Sequence, residues 1–147
     1  MKIVFNNATL EFRKFRVQIL DHKENVTITD GKTSTASNID TVIGRKYGAL
    51  YRIKSVSGGS DDPNPYLYEN AGVPRLGNLT YKQTTQNGYM DYYLASSEDA
   101  TRVGKIGASC KTEYTIIYDV ILFDLTDHPN YSNFIPEWDF DEISAMI

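Results

Sequence analysis

Carboxylates are the side chains of this 147-residue chain most able to do chemistry, and they come in groups: Asp61-Asp62, Glu98-Asp99, and Asp139 with Asp141 and Glu142. Two carboxylates held about 5–10 Å apart can hydrolyse a glycosidic bond. Each group also reads as surface acids of a turn, or as the acidic start of a helix. The run Asp61-Asp62-Pro63-Asn64 and the lone Asp119, an acid inside an otherwise apolar stretch, offer oxygen ligands of the kind a hard cation such as calcium takes. Their spacing is not that of an EF-hand loop. His22 and His128 stand far apart without zinc-ligand spacing, and Cys110 has no neighbour that would activate it. No nucleophile elbow and no glycine-rich phosphate loop occurs. Catalysis is not expected.

Contact chemistry is better represented. Tyr66, Tyr68, Tyr81, Tyr89, Tyr92 and Tyr93 lie on or beside successive predicted strands, with Gln83, Gln86, Asn87 and Asp91 among them. An aromatic face stacks on a sugar ring or a partner surface, and nearby amides and carboxylates supply directional hydrogen bonds. The contact residues expected are Tyr66, Tyr68, Tyr81, Gln83, Tyr89, Asp91 and Tyr92. Half-core packing is the competing role for each tyrosine.

Composition narrows the partners. A net charge of −4 and a short basic stretch, Arg13-Lys14-Phe15-Arg16, give none of the clustered positive charge that phosphate binding needs, so nucleic acid is not expected. The opening apolar run Ile3-Val4-Phe5 is too short for a secretory signal or a membrane helix, which predicts synthesis in a reducing cytoplasm and no membrane insertion. One cysteine allows no disulfide within the chain. Asn7, Asn25, Asn78 and Asn130 head glycosylation sequons that mean little without secretion.

The elements that would position these residues are strands. Period-two alternation predicts strands over 3–5 and 8–12, Phe15–Ile19, Asn25–Thr29 and Lys46–Val56, with a polar connection at 31–38. In Lys46–Val56, Tyr47, Ala49, Tyr51 and Ile53 share one face, and Gly48, Leu50, Arg52 and Lys54 the other. Prolines 63 and 65 forbid a central strand through 57–65. Tyr66–Glu69 follows, then a hairpin of Leu79–Thr85 and Tyr89–Ala95 around Gln86-Asn87-Gly88. Arg102–Cys110 is a weaker strand, and the apolar run Tyr114–Asp124 reads as one buried on both faces. Asp139 followed by Glu142 reads as a helix start, with Phe140, Ile143 and Ile147 at helical spacing. This pattern predicts an all-β, antiparallel β-sandwich with a short C-terminal helix.

The strand Gly44-Arg45-Lys46-Tyr47-Gly48-Ala49-Leu50-Tyr51-Arg52-Ile53-Lys54-Ser55 resembles a strand of carbohydrate-binding-module-like jelly rolls, with Gly44, Tyr47, Lys54 and Ser55 in matching places. The segment Tyr118–Thr126 resembles the last strand of that fold, ending in Asp124-Leu125-Thr126. Pro136-Glu137 and Phe140-Asp141-Glu142-Ile143-Ser144-Ala145-Met146-Ile147 are similar to the short acidic helix that closes such domains in phage tail and other virion proteins. The resemblance implies a jelly roll over 1–126, with residues 127–147 as a C-terminal extension of the same domain. It implies a structural component of a phage particle, such as a capsid decoration, head fibre, or tail or collar adaptor, made in the host bacterial cytoplasm and assembled into the virion. Partners would be other virion subunits, in homo- or hetero-oligomeric assembly through Trp138, Phe140, Ile143 and Ile147, with a surface glycan as a further contact. The tail helix would dock on its own sandwich or reach into a neighbouring subunit. Such jelly rolls often hold a structural calcium near their last strand, where Asp119 lies. A stand-alone carbohydrate-binding module is the alternative reading.

Overall fold

The computed structural model describes residues 9–12, 15–28, 34–35, 39–58, 65–69, 75–96, 99–101, 105–110, 115–129, 131–133 and 140–146. Among these the chain is mostly β. The strands are β1 (Thr9–Phe12), β2 (Phe15–Ile28), β3 (Ser34–Thr35), β4 (Ile39–Asp40), β5 (Tyr47–Ser57), β6 (Tyr66–Glu69), β7 (Arg75–Thr84), β8 (Met90–Ser96), β9 (Lys105–Cys110) and β10 (Thr115–Asp124). One helix, α1 (Phe140–Met146), follows a 3-10 turn at Tyr131–Asn133. All strand pairs are antiparallel, in the order β1-β2-β10-β5-β8-β7-β6-β9-β3, with β4 also on β9.

Strand β10 earns its central place by composition. Its run Ile116-Ile117-Tyr118-Asp119-Val120-Ile121-Leu122-Phe123 is β-branched or aromatic almost throughout, which suits a strand covered on both faces. It pairs with β2 on one side and β5 on the other, and Tyr118 to Phe123 are all buried. The sheet is curled. Two strands, β8 and β7, separate β5 from β6, and at about 4.8 Å per strand a flat sheet would hold β5 and β6 about 14 Å apart. Instead their Cα atoms approach within 8 Å. Leu67 of β6 thereby joins Ala49, Tyr51, Leu94 and Leu122 in one core, where the Tyr51 and Tyr118 rings stack at 4.4 Å.

The opposite face of β5, β8 and β10 carries a second core. Leu50, Tyr93, Ala95, Ile121 and Phe123 meet Ile19 of β2 and Leu125, and α1 covers them with Phe140 and Ile143. Alternation along β5 places its two residue sets on opposite faces as the sequence predicts. Gly48 lies where Leu125 crosses the strand: a Cβ there would stand 2.3 Å from the Leu125 Cδ1 and 3.0 Å from the Leu94 carbonyl oxygen. Only hydrogen fits.

Three sequence expectations change. Phe15–Ile19 and the described part of the predicted strand Asn25–Thr29, residues 25–28, are parts of one 14-residue strand, β2. The polar stretch Asp21-His22-Lys23-Glu24 continues the ladder because β10 supplies backbone partners along it, with register shifts that absorb the irregularity. At one shift Asn25 takes φ +53°, and its N–H donates to the buried Asp119 carboxylate at 2.8 Å. The polar connection at 31–38 contains β3, and β4 follows it, both pairing with β9. Strand β7 begins at Arg75, four residues before the predicted Leu79. The predicted strand at 3–5 and the capping residue Asp139 lie outside the described residues.

Candidate functional site

The register of the sheet gathers charge on the α1-facing side. Gln83 of β7 is opposite Asp91 of β8, Asp91 is opposite Arg52 of β5, and Arg52 is opposite Asp119 of β10. Residues directly opposite share a face, so these four make one polar row across four strands. The next row, Tyr81, Tyr93, Leu50 and Ile121, begins the apolar stripe that α1 covers. The first turn of the helix meets the polar row, through Asp141.

Arg52 organises the row. Its side chain is 5% exposed, and it grips the equally buried Asp91 in a fork, Nε to Oδ1 at 2.6 Å and Nη2 to Oδ2 at 2.8 Å. Nη1 donates to Asp141 in the first turn of α1, a carboxylate that is 70% exposed. The guanidinium lies over the Phe140 ring at 4.8 Å and near the Tyr89 ring at 5.5 Å. The hydrogen bonds Arg52 donates to Asp91 hold its pKa above its ordinary value; burial opposes this and Asp141 adds to it. A paired, bidentate geometry is what makes such burial tolerable, and leaving either partner alone costs several kcal/mol.

The β7–β8 hairpin forms the other wall. Gly88 has φ +81°, the conformation the Asn-Gly turn demands. The Thr85 amide donates to the Tyr89 carbonyl at 2.8 Å, the Tyr89 amide donates to the Thr85 hydroxyl at 3.0 Å, and the Gly88 amide donates to the Thr85 carbonyl at 3.0 Å. Between this turn and α1 opens a groove of about 400 Å³ lined by Arg52, Gln83, Thr84, Thr85, Gln86, Asn87, Asp91 and Asp141. Gln83 Nε2 donates to the Tyr93 hydroxyl at 2.7 Å, and Tyr93 stacks on Tyr81, whose ring is 42% exposed. An open polar groove beside the exposed Tyr81, backed by the buried Tyr93, suits a ligand with hydroxyls on its edges and C–H groups on its face.

Of the residues singled out from sequence, Gln83, Asp91, Gln86 and Asn87 line this groove, Tyr81 stands beside it, and Tyr89 packs near Arg52. Tyr92 does not join them. It is 2% exposed in the core on the other face, because adjacent strand residues point to opposite sides and Asp91 already faces α1. Phe140 and Ile143, expected as assembly contacts, are 2% and 1% exposed against the chain's own sheet, so they dock the helix and present nothing to a neighbour. The side chains of Tyr66, Tyr68, Trp138 and Ile147 lie outside the described residues, as does Asp61-Asp62-Pro63-Asn64.

Asp119, the expected calcium ligand, is committed within the chain. One oxygen accepts from the Asn25 N–H and the other pairs with Lys54 Nζ at 2.8 Å. Among the described residues, no group of three or more His, Cys, Asp or Glu gathers to hold a metal ion. His22 instead sits against α1, its ring edge-on to Phe140 at 6.5 Å and Nε2 3.2 Å from the Ser144 hydroxyl.

Sequence reasoning missed Arg52 and Asp141 as groove residues. A charged residue flanked by apolar neighbours in each of two strands, Tyr51-Arg52-Ile53 and Met90-Asp91-Tyr92, was the available signal for a buried pair. No protein-family model, no curated protein and no solved structure matches the chain.

Proposed function

We propose that the chain is a non-catalytic contact domain that holds a hydroxyl-rich ligand, a surface glycan, in the groove between the β7–β8 turn and α1. The observation that carries this reading is the convergence of Gln83, Gln86, Asn87, Arg52, Asp91 and Asp141 on one open groove beside the Tyr81–Tyr93 stack. Planar amides of β7 and the turn, with carboxylates and a guanidinium from β8, α1 and β5, suit the hydroxyls of a sugar, and Tyr81 offers a face for the ring. Both carboxylates in the groove accept from Arg52, which favours holding a ligand over donating protons to one. The wider setting we propose is a phage particle. The strand Gly44–Ser55, the segment Tyr118–Thr126 and the acidic tail helix support it by resemblance, and the curled antiparallel sheet is compatible with the sandwich or jelly roll it implies.

A glycan array with the intact chain tests the groove. Binding to at least one sugar class, weakened about tenfold or more by Gln83→Ala or Tyr81→Ala, is expected, each removing one hydrogen-bonding or stacking group. No sugar binding, or binding indifferent to both substitutions, sinks the groove reading. Mass spectrometry of purified particles tests the setting: a virion component is present at fixed stoichiometry, and its absence ends that part of the proposal.

A further inference from the structure

The groove's charges are unbalanced, and the imbalance specifies a ligand. Among the described residues of the lining Arg52 is the one cation, and its Nε and Nη2 face the buried Asp91 while Nη1 meets Asp141. Gln83 gives its amide N–H to Tyr93, which leaves its carbonyl oxygen as an acceptor. Thr85 takes an N–H from Tyr89 on its hydroxyl and is held in the turn. Asp141 bonds Arg52 through Oδ1 alone, and at 70% exposure its second oxygen stands open. One guanidinium against two carboxylates leaves the lining with a net charge of −1.

We infer that the ligand is a sugar bearing a protonated amine, an amino-hexose unit, and that Asp141 is the residue that selects it. The inference rests on the glycan reading above and narrows it. An ammonium brings a charge that offsets the surplus carboxylate. A uronic or sialic acid would set a second carboxylate beside Asp141, with the Arg52 fork already turned to Asp91, and is disfavoured. A neutral sugar keeps its hydroxyl contacts and gains nothing from the charge. The selecting residue comes from the tail: a helix of seven residues, placed by Phe140 and Ile143, sets the charge of a groove whose remaining lining belongs to β5, β7, β8 and the turn.

Titration calorimetry on the intact chain tests this with three matched oligosaccharides: glucosamine oligomers, their N-acetylated counterparts, and galacturonate oligomers, at a pH where the amine is protonated. The glucosamine oligomer should bind about fivefold tighter than the acetylated one, the gain of one partly exposed ion pair, and the galacturonate weakest. Asp141→Asn, which keeps an acceptor for Arg52, should abolish that preference with the near-ultraviolet circular dichroism unchanged. Glu142→Gln, which removes a charge one residue away outside the groove, should leave it intact, and added salt should shrink it. If acetylated and free amino sugars bind equally, or the preference survives in Asp141→Asn or disappears in Glu142→Gln, the inference falls while the glycan reading stands. If none of the three sugars binds, the inference falls, and the glycan array decides the glycan reading separately.

Discussion

The two faces of the β5–β8–β10 sheet are closed by different means. One is covered by the sheet itself: β6 comes over, Leu67 reaches Tyr51 and Leu94, and the filling is apolar from Ile28 to Leu122. The other is covered by a separate seven-residue helix, and its filling changes from apolar at the Phe123 row to charged at the Arg52 row. A helix this short has no stability of its own and stays formed only while docked. The self-covered face is thus part of the global fold, whereas the helix-covered face can open locally. The groove lies on the second face, where the helical wall is held by Phe140, Ile143, the Arg52 guanidinium and the contacts of His22 with Phe140 and Ser144.

Breaking the charged end of the helix-covered face should have the largest effect. Arg52→Ala leaves Asp91 buried without its partner and removes the Asp141 contact, a loss of about 4 kcal/mol in urea unfolding. Arg52→Met with Asp91→Leu should recover most of it, because an apolar pair of similar size avoids the uncompensated charge. If Arg52→Ala alone costs under about 1 kcal/mol, the range of exposed pairs, the pair is not the buried anchor described. Leu122→Ala, on the self-covered face, should cost about 3 kcal/mol and lower hydrogen-exchange protection throughout the sheet. The smallest of the three is Phe140→Ala, at about 2 kcal/mol, because the cost is capped by the energy of docking α1. Its protection loss should be confined to α1 and the residues beneath it. Loss spread over β6 and β10 would erase the distinction between the faces.

Much of the sheet was legible because alternation is a local signal. The two faces of β5, the doubly buried β10 and the Asn-Gly turn all follow from neighbours a few residues apart, and the turn's register alone sets Gln83 opposite Asp91. The same rule should have separated Asp91 from Tyr92, which cannot share a face. What stayed hidden depends on which strands pair across long separations. Arg52 meets Asp91 only because β5 lies beside β8, and Asp141 meets Arg52 only because α1 returns to that face. Asp119 read as a cation ligand because an acid in an apolar strand looks isolated; its partners, Asn25 and Lys54, come from two other strands. The polar stretch of β2 read as a break for the same reason, since its partner strand lies about 90 residues later in the chain.

The place of β10 between β2 and β5 bears on how the protein is made. Strands β2 and β5 never pair with each other; they meet through a strand that ends at Asp124. During synthesis both wait with open hydrogen-bonding edges and uncovered apolar faces until most of the chain has left the ribosome. Contacts of such long sequence separation fold slowly, because the loops between them must close before any packing rewards them. A nascent chain halted before Thr115 therefore holds two sticky edges and no means of joining them, and is the species a chaperone would meet first.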